Sequence, residues 1–158
     1  MQSSLSAPRA TLRDGLRLGW DPIDAIHEEL LVLVDALLAA PDEALPAAFV
    51  RVHEHSREHF AAEERWMEET DFPARGCHAD EHAAVLASMK LIAGKVAAGD
   101  LEAGRRLGRA LADWFPGHAH YLDSALAHWI CSKRLGGKPV VLRRTLRRRP
   151  TPAPDPER

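Results

Sequence analysis

The chain has 158 residues, 46% of them hydrophobic, a size and composition that suit one globular domain with a sizeable core. Formal net charge is only -2, yet residues 132–158 hold nine Lys or Arg against two acids, so an acidic body carries a basic tail. Two cysteines, Cys77 and Cys131, with no CxxC pair, exclude a disulfide scaffold and a thiolate zinc site, and a reduced, cytoplasmic setting is expected.

Residues 1–16 read as an N-terminal arm. They lack the apolar centre of a secretory signal, and no later run reaches the length of a membrane span, so a soluble protein with no membrane partner is expected. The first helix is predicted over about 24–39, with Ile26, Leu30, Leu33, Val34 and Leu37 on one stripe, and it stops near Pro41. The second spans about 45–69 and ends before Asp71-Phe72-Pro73, where proline disfavours helix in its predecessor. The third runs over about 78–98 through Val85, Met89, Ile92 and Val96 to Gly99. The fourth covers about 101–130, and its row Leu107, Leu111, Trp114, His118, Tyr121, Ala125 and Trp129 ends before Gly136-Gly137. No stretch alternates with a period of two. The fold class is therefore all-α, an up-down-up-down four-helix bundle over residues 17–136, followed by a flexible, basic, Pro-rich tail over 137–158.

These helices carry polar residues where apolar ones belong. In "HEHSREHFAAEERWM", His53 to Met67, groups four apart sit about 40° apart in rotation, so His55, His59 and Glu63 share a face bordered by Val52, Ser56, Phe60, Trp66 and Met67. A carboxylate on a buried face needs a cation or a proton. The third helix opens with "HADEH", which sets His78 and His82 one turn apart, a spacing that lets two imidazoles bind one metal. His27 lies beside the first stripe, and His118 sits in the fourth row with Asp123 five residues on. Five histidines and two carboxylates exceed what one tetrahedral zinc uses, and imidazole with carboxylate suits iron, with manganese or zinc less decisively. A ferritin-like di-iron site needs Glu-x-x-His pairs, and no histidine here has a glutamate three residues before it.

His118 and Asp123 pose a separate question. Five residues apart, they would stand about 140° apart on an ideal α-helix. A π-type turn would bring them nearly into line, and Pro116-Gly117 already interrupts the hydrogen-bond ladder, so the fourth helix is expected to kink or widen between about residues 113 and 123.

The ordered set His27, His59-x-x-x-Glu63, His78-x-x-x-His82 and His118-x-x-x-x-Asp123 resembles the non-haem di-iron hemerythrins, including the bacteriohemerythrins. The likeness covers roughly residues 18–131 and extends to "DAIHEEL", "HFAAEERWM" and "WFPGH", although Pro116-Gly117 departs from the family's more regular helix. It implies two iron ions in an oxo- or hydroxo-bridged centre. His78, His82 and His118 would hold one iron, His27 and His59 the other, and Glu63 and Asp123 would bridge them. The two-histidine iron would then keep a position for dioxygen. By helical proximity Leu30, Phe60, Trp114, Phe115 and Leu122 are the expected pocket lining.

The function implied is reversible dioxygen binding, for storage, delivery or sensing, more than catalysis. The alternatives are a di-iron enzyme consuming peroxide or nitric oxide, or oxidising iron, and an oxygen or redox signalling module. Tyr121, His55 and His120 are the proton donors an enzyme would look to, although His53, His120 and His128 read as surface residues and His55 as a core or supporting group. Cys77 and Cys131 read as bystander thiols. The arginine-rich tail could meet an acidic partner, but with no aromatic interleaving a solvated tail is expected and nucleic acid is not.

Overall fold

The computed structural model describes residues 15–136, so the tail and all but the last two residues of the arm lie outside it. Helix α1 spans Asp21–Ala39. It starts earlier than the apolar stripe requires because Pro22 stands in its first turn, where a fixed φ suits a helix and a missing N–H is no loss. The Asp24 carboxylate accepts the N–H groups of Leu18 and Gly19 at 2.7 and 2.9 Å and ties down the incoming chain. The buried stripe is Ile23, His27, Leu30, Val34 and Leu37, so His27 belongs to the stripe rather than lying beside it.

Helix α2 spans Leu45–Glu69 and ends at a turn in which Asp71 adopts a left-handed φ of 51°. Helix α3 spans Arg75–Ala97 and stops at Gly99, whose φ of 95° is one that glycine alone adopts without strain. Helix α4 spans Leu101–His118 and is capped by Asp100, whose side chain accepts the Ala103 N–H at 3.0 Å. A π-helical turn, Ala119–Asp123, leads without a break into α5, Ser124–Leu135. The widening expected between about residues 113 and 123 is thus present, past Pro116, which stays within α4, and the Ser124 N–H reaches back five residues to the Ala119 carbonyl.

That turn corrects one expectation. A row continued through His118 at regular spacing puts Tyr121 and Ala125 inside, yet Tyr121 is 75% exposed and Ala125 faces solvent. The π turn accommodates one extra residue, so beyond it the inward face moves to Asp123, Leu126, Ala127 and Ile130.

The α4–π–α5 rod is the fourth member of the bundle. Helix α1 packs on α2, α2 on α3, α3 on α4, and α4 back on α1, which closes the up-down-up-down ring, and among the described residues there is no strand. Gly104 and Gly108 permit close approach of α4: a Cβ on Gly104 would stand 2.9 Å from Val96 Cγ2 and 3.0 Å from Leu45 Cδ2, and one on Gly108 would stand 3.0 Å from Leu38 Cδ2. Two apolar clusters result. The larger joins Leu30, Val34, Leu37, Phe49, Met89 and Phe115; the smaller joins Met67, Phe72, Leu126 and Ile130 under Trp20, Trp66 and Trp129. Along each helix the inward polar residues fall beside or between these clusters, which hold the backbone around them. No helix among the described residues is long and apolar enough to cross a membrane.

Candidate metal centre

Seven buried polar side chains meet in the middle of the bundle: His27 from α1, His59 and Glu63 from α2, His78 and His82 from α3, His118 from the end of α4 and Asp123 from the end of the π turn. None is more than 3% exposed. Each histidine turns Nε2 inward, and the two carboxylates lie between two groups of rings.

One Glu63 oxygen, Oε1, lies 2.7 Å from His59 Nε2 and 3.4 Å from His27 Nε2; the other, Oε2, lies 3.2 Å from His82 Nε2 and 3.3 Å from His78 Nε2. Asp123 divides in the same way. Its Oδ2 lies 3.1 Å from His27 Nε2, while Oδ1 lies 2.9 and 3.1 Å from the Nε2 atoms of His78 and His118. Two donor sets follow, His78, His82 and His118 with one oxygen of each carboxylate, and His27 and His59 with the other oxygens. Within each set the donor atoms lie within 4.8 Å of one another.

The atoms look past each other toward common centres. Both Asp123 oxygens and Glu63 Oε2 make no hydrogen bond despite these short distances, and His118 Nε2 stands 3.2 Å from the Nε2 atoms of both His78 and His82. Donors bonded about 2.1 Å from one ion at right angles to each other would stand about 3 Å apart, close to this spacing. Five imidazoles, two carboxylates and no thiolate form a donor set for iron, manganese or zinc.

Burial and the neighbouring charges shift these groups in opposite directions. Burial disfavours charge on His27 and His78, but Asp123 and then Glu63 outweigh it and raise both rings to about 9. His118 is also raised, with burial overcome by Asp123 and Glu81, whereas burial prevails over Glu63 at His59 and lowers it. Burial alone would raise Glu63, yet the four histidines around it hold its carboxyl well below the usual range. Asp123 is held low by His118, His27 and His78 against both burial and Glu63. Charge is balanced by protons that a divalent cation would displace.

Residues 18–130 match the family described as the hemerythrin HHE cation binding domain. The chain belongs to the hemerythrin family. It is 34% identical over 120 residues to a bacteriohemerythrin from Ralstonia nicotianae, an alignment covering 76% of this chain and 88% of that protein. No solved structure matches it significantly.

Around these seven side chains of the hemerythrin domain the walls are aromatic. Phe60 stacks on His82, with ring centroids 4.0 Å apart and planes 5° from parallel. Phe115 meets His27 edge-on at 4.9 Å, and Trp114 lies 4.4 Å from His118. Leu30 is buried, while Leu122 is only half-buried. The remaining histidines stay out of the centre: His120 and His128 are exposed, His53 is half-buried, and His55 Nε2–H donates to the Ile26 carbonyl at 3.1 Å. Cys77, beside His78, faces solvent, and Cys131 is buried.

Two residues escaped the sequence reading. Glu81 Oε2 accepts a hydrogen bond from His118 Nδ1 at 2.9 Å, and Glu64 Oε1 lies 3.4 Å from His82 Nδ1. Their only signal in the sequence was adjacency, since Glu81 precedes His82 and Glu64 follows Glu63, and exposed glutamates are common on any helix.

Proposed function

We propose that this hemerythrin domain is a non-haem di-iron protein that binds dioxygen reversibly, for storage, delivery or sensing. The observation that carries the reading is the division of the two buried carboxylates, each giving one oxygen to a three-histidine set and the other to a two-histidine set. His78, His82 and His118 would hold one iron, His27 and His59 the second, and Glu63 and Asp123 both. The second set is one protein donor short of the first, which leaves room for a reversible ligand, as catalytic metal sites keep an open position. Two irons there would supply electrons that dioxygen can accept and return.

The protein's part is to hold the donors rigid and keep protons and water away. Phe60, Phe115 and Trp114 pack directly on the histidines, with Leu30 buried on the α1 side, and such packing controls solvent access. Reversibility further requires that no acid deliver a proton to reduced oxygen. Tyr121 and His120 point to solvent and His55 is bonded to a backbone carbonyl, an arrangement that favours binding over turnover.

The test is anaerobic reduction followed by oxygen titration, read by visible absorption, with iron counted on the same sample. Two irons per chain and a spectrum that comes and goes with oxygen are expected. Irreversible bleaching, or rapid consumption of peroxide or nitric oxide, would replace this reading with an enzymatic one.

A further inference from the structure

The five inward histidines differ on their outer side. His118 Nδ1–H donates to Glu81 at 2.9 Å, and His82 Nδ1 has Glu64 at 3.4 Å without hydrogen-bond geometry. Nδ1 of His27, His59 and His78 has no hydrogen-bond partner among the described residues. Both outer carboxylates therefore stand behind the three-histidine set, and neither stands behind the two-histidine set.

A carboxylate on Nδ1–H keeps that nitrogen protonated, leaves the Nε2 lone pair facing inward and makes the ring a stronger ligand. Glu81 does this across an interface: it leaves α3 one residue before His82 and grips His118 at the end of α4. The contact thus orients a ligand of one helix from the backbone of another that carries two more. Trp114 packs against the same ring. The three-histidine set also offers one more donor than its neighbour. On the other side, His27 lines a cavity of about 300 Å³ together with Leu16, Asp21, Asp24 and Glu28, and its Nδ1 meets no carboxylate there.

We infer that the two metal positions fill in order, the three-histidine position first and more tightly, and that Glu81 is the positioning residue that sets this order through His118. The inference rests on the dinuclear reading of the seven side chains.

The experiment titrates the chelator-treated full chain with cobalt(II), followed by calorimetry and visible absorption. Two steps are expected, the first tighter. Glu81→Gln should weaken the first step about 10- to 100-fold and leave the total at two ions. Asp80→Asn, an equal change of charge at the exposed neighbouring position, should leave both steps in place. Independently of those variants, His27→Ala should retain the tight first step and His118→Ala should lose it. A single step in the unaltered chain, a first step untouched by Glu81→Gln, or one lost in His27→Ala would each overturn the inference. Binding of two cobalt ions with any of those results leaves the dinuclear reading standing, whereas a chain that binds no cobalt overturns both.

Discussion

Glu63 and Asp123 are the residues on which the dinuclear reading depends most, because each turns one oxygen to either set of histidines. Glu63→Gln or Asp123→Asn removes a negative charge among at least three imidazoles and is expected to reduce bound metal from two ions per chain to one or fewer, as measured by elemental analysis after dialysis. The metal-free chain should also show where its protons sit. His27 and His78 are raised from 6.5 to about 9, so their contribution to folding is complete below pH 6.5 and is lost as pH rises through 9. Glu63 and Asp123 are depressed, so their contribution is present above their ordinary values of 4.5 and 3.8 and is lost as pH falls toward the folded values. Urea unfolding in chelator should show a maximum between about pH 5 and 6.5, with stability falling on both sides. Metal takes the place of the protons on the rings, so the alkaline loss should vanish in the loaded protein.

The π turn shows how an element can carry an extra residue without disturbing the site. His118 and Asp123 are five apart yet face the same centre, and of the four residues between them His120 and Tyr121 turn outward. Deleting Tyr121 would leave the two ligands four apart, the spacing at which an ordinary α-helix puts them on one face. We expect that deletion to retain two metals per chain, while insertion of one alanine at the same place should lose the Asp123 contact and at least one metal. Metal counting with far-UV circular dichroism separates these outcomes from unfolding. A second prediction concerns the approach of α4 to its neighbours. Gly104→Val forces a side chain into space already held by Val96 and Leu45, and about 2 kcal/mol of destabilisation is expected from such overpacking, measured by denaturant titration.

For the whole molecule, two apolar clusters flank a centre that is polar and buried, and this arrangement separates folding from metal binding. The clusters supply a core without the ion, so the chelated chain should keep its helices. An ion binds the native state alone, so loading should raise the melting temperature in proportion to the logarithm of free metal over its dissociation constant. A scan in which chelation abolishes helicity at 25 °C would show instead that the centre, not the apolar clusters, holds the bundle together.

The sequence alone determined the helices and the identity of the converging side chains. Hydrophobic period, prolines near residues 22, 41, 46 and 73, and glycines at 99 and 136 mark where backbone hydrogen bonding begins and ends, and those signals are local. The seven polar residues were legible because a charge or imidazole at an apolar position violates the same period. The rotation beyond His118 was only half legible: the five-residue spacing pointed to a π turn, but the outward placement of Tyr121 depends on the one-residue shift of register that follows. Glu81 and Glu64 could not be read at all, because an exposed glutamate acquires meaning only when another helix sets an imidazole nitrogen beside it. The division of each carboxylate between two ring sets likewise belonged to the tertiary structure, since spacing along one helix brings a side chain to a face while packing of four helices decides which atom meets which.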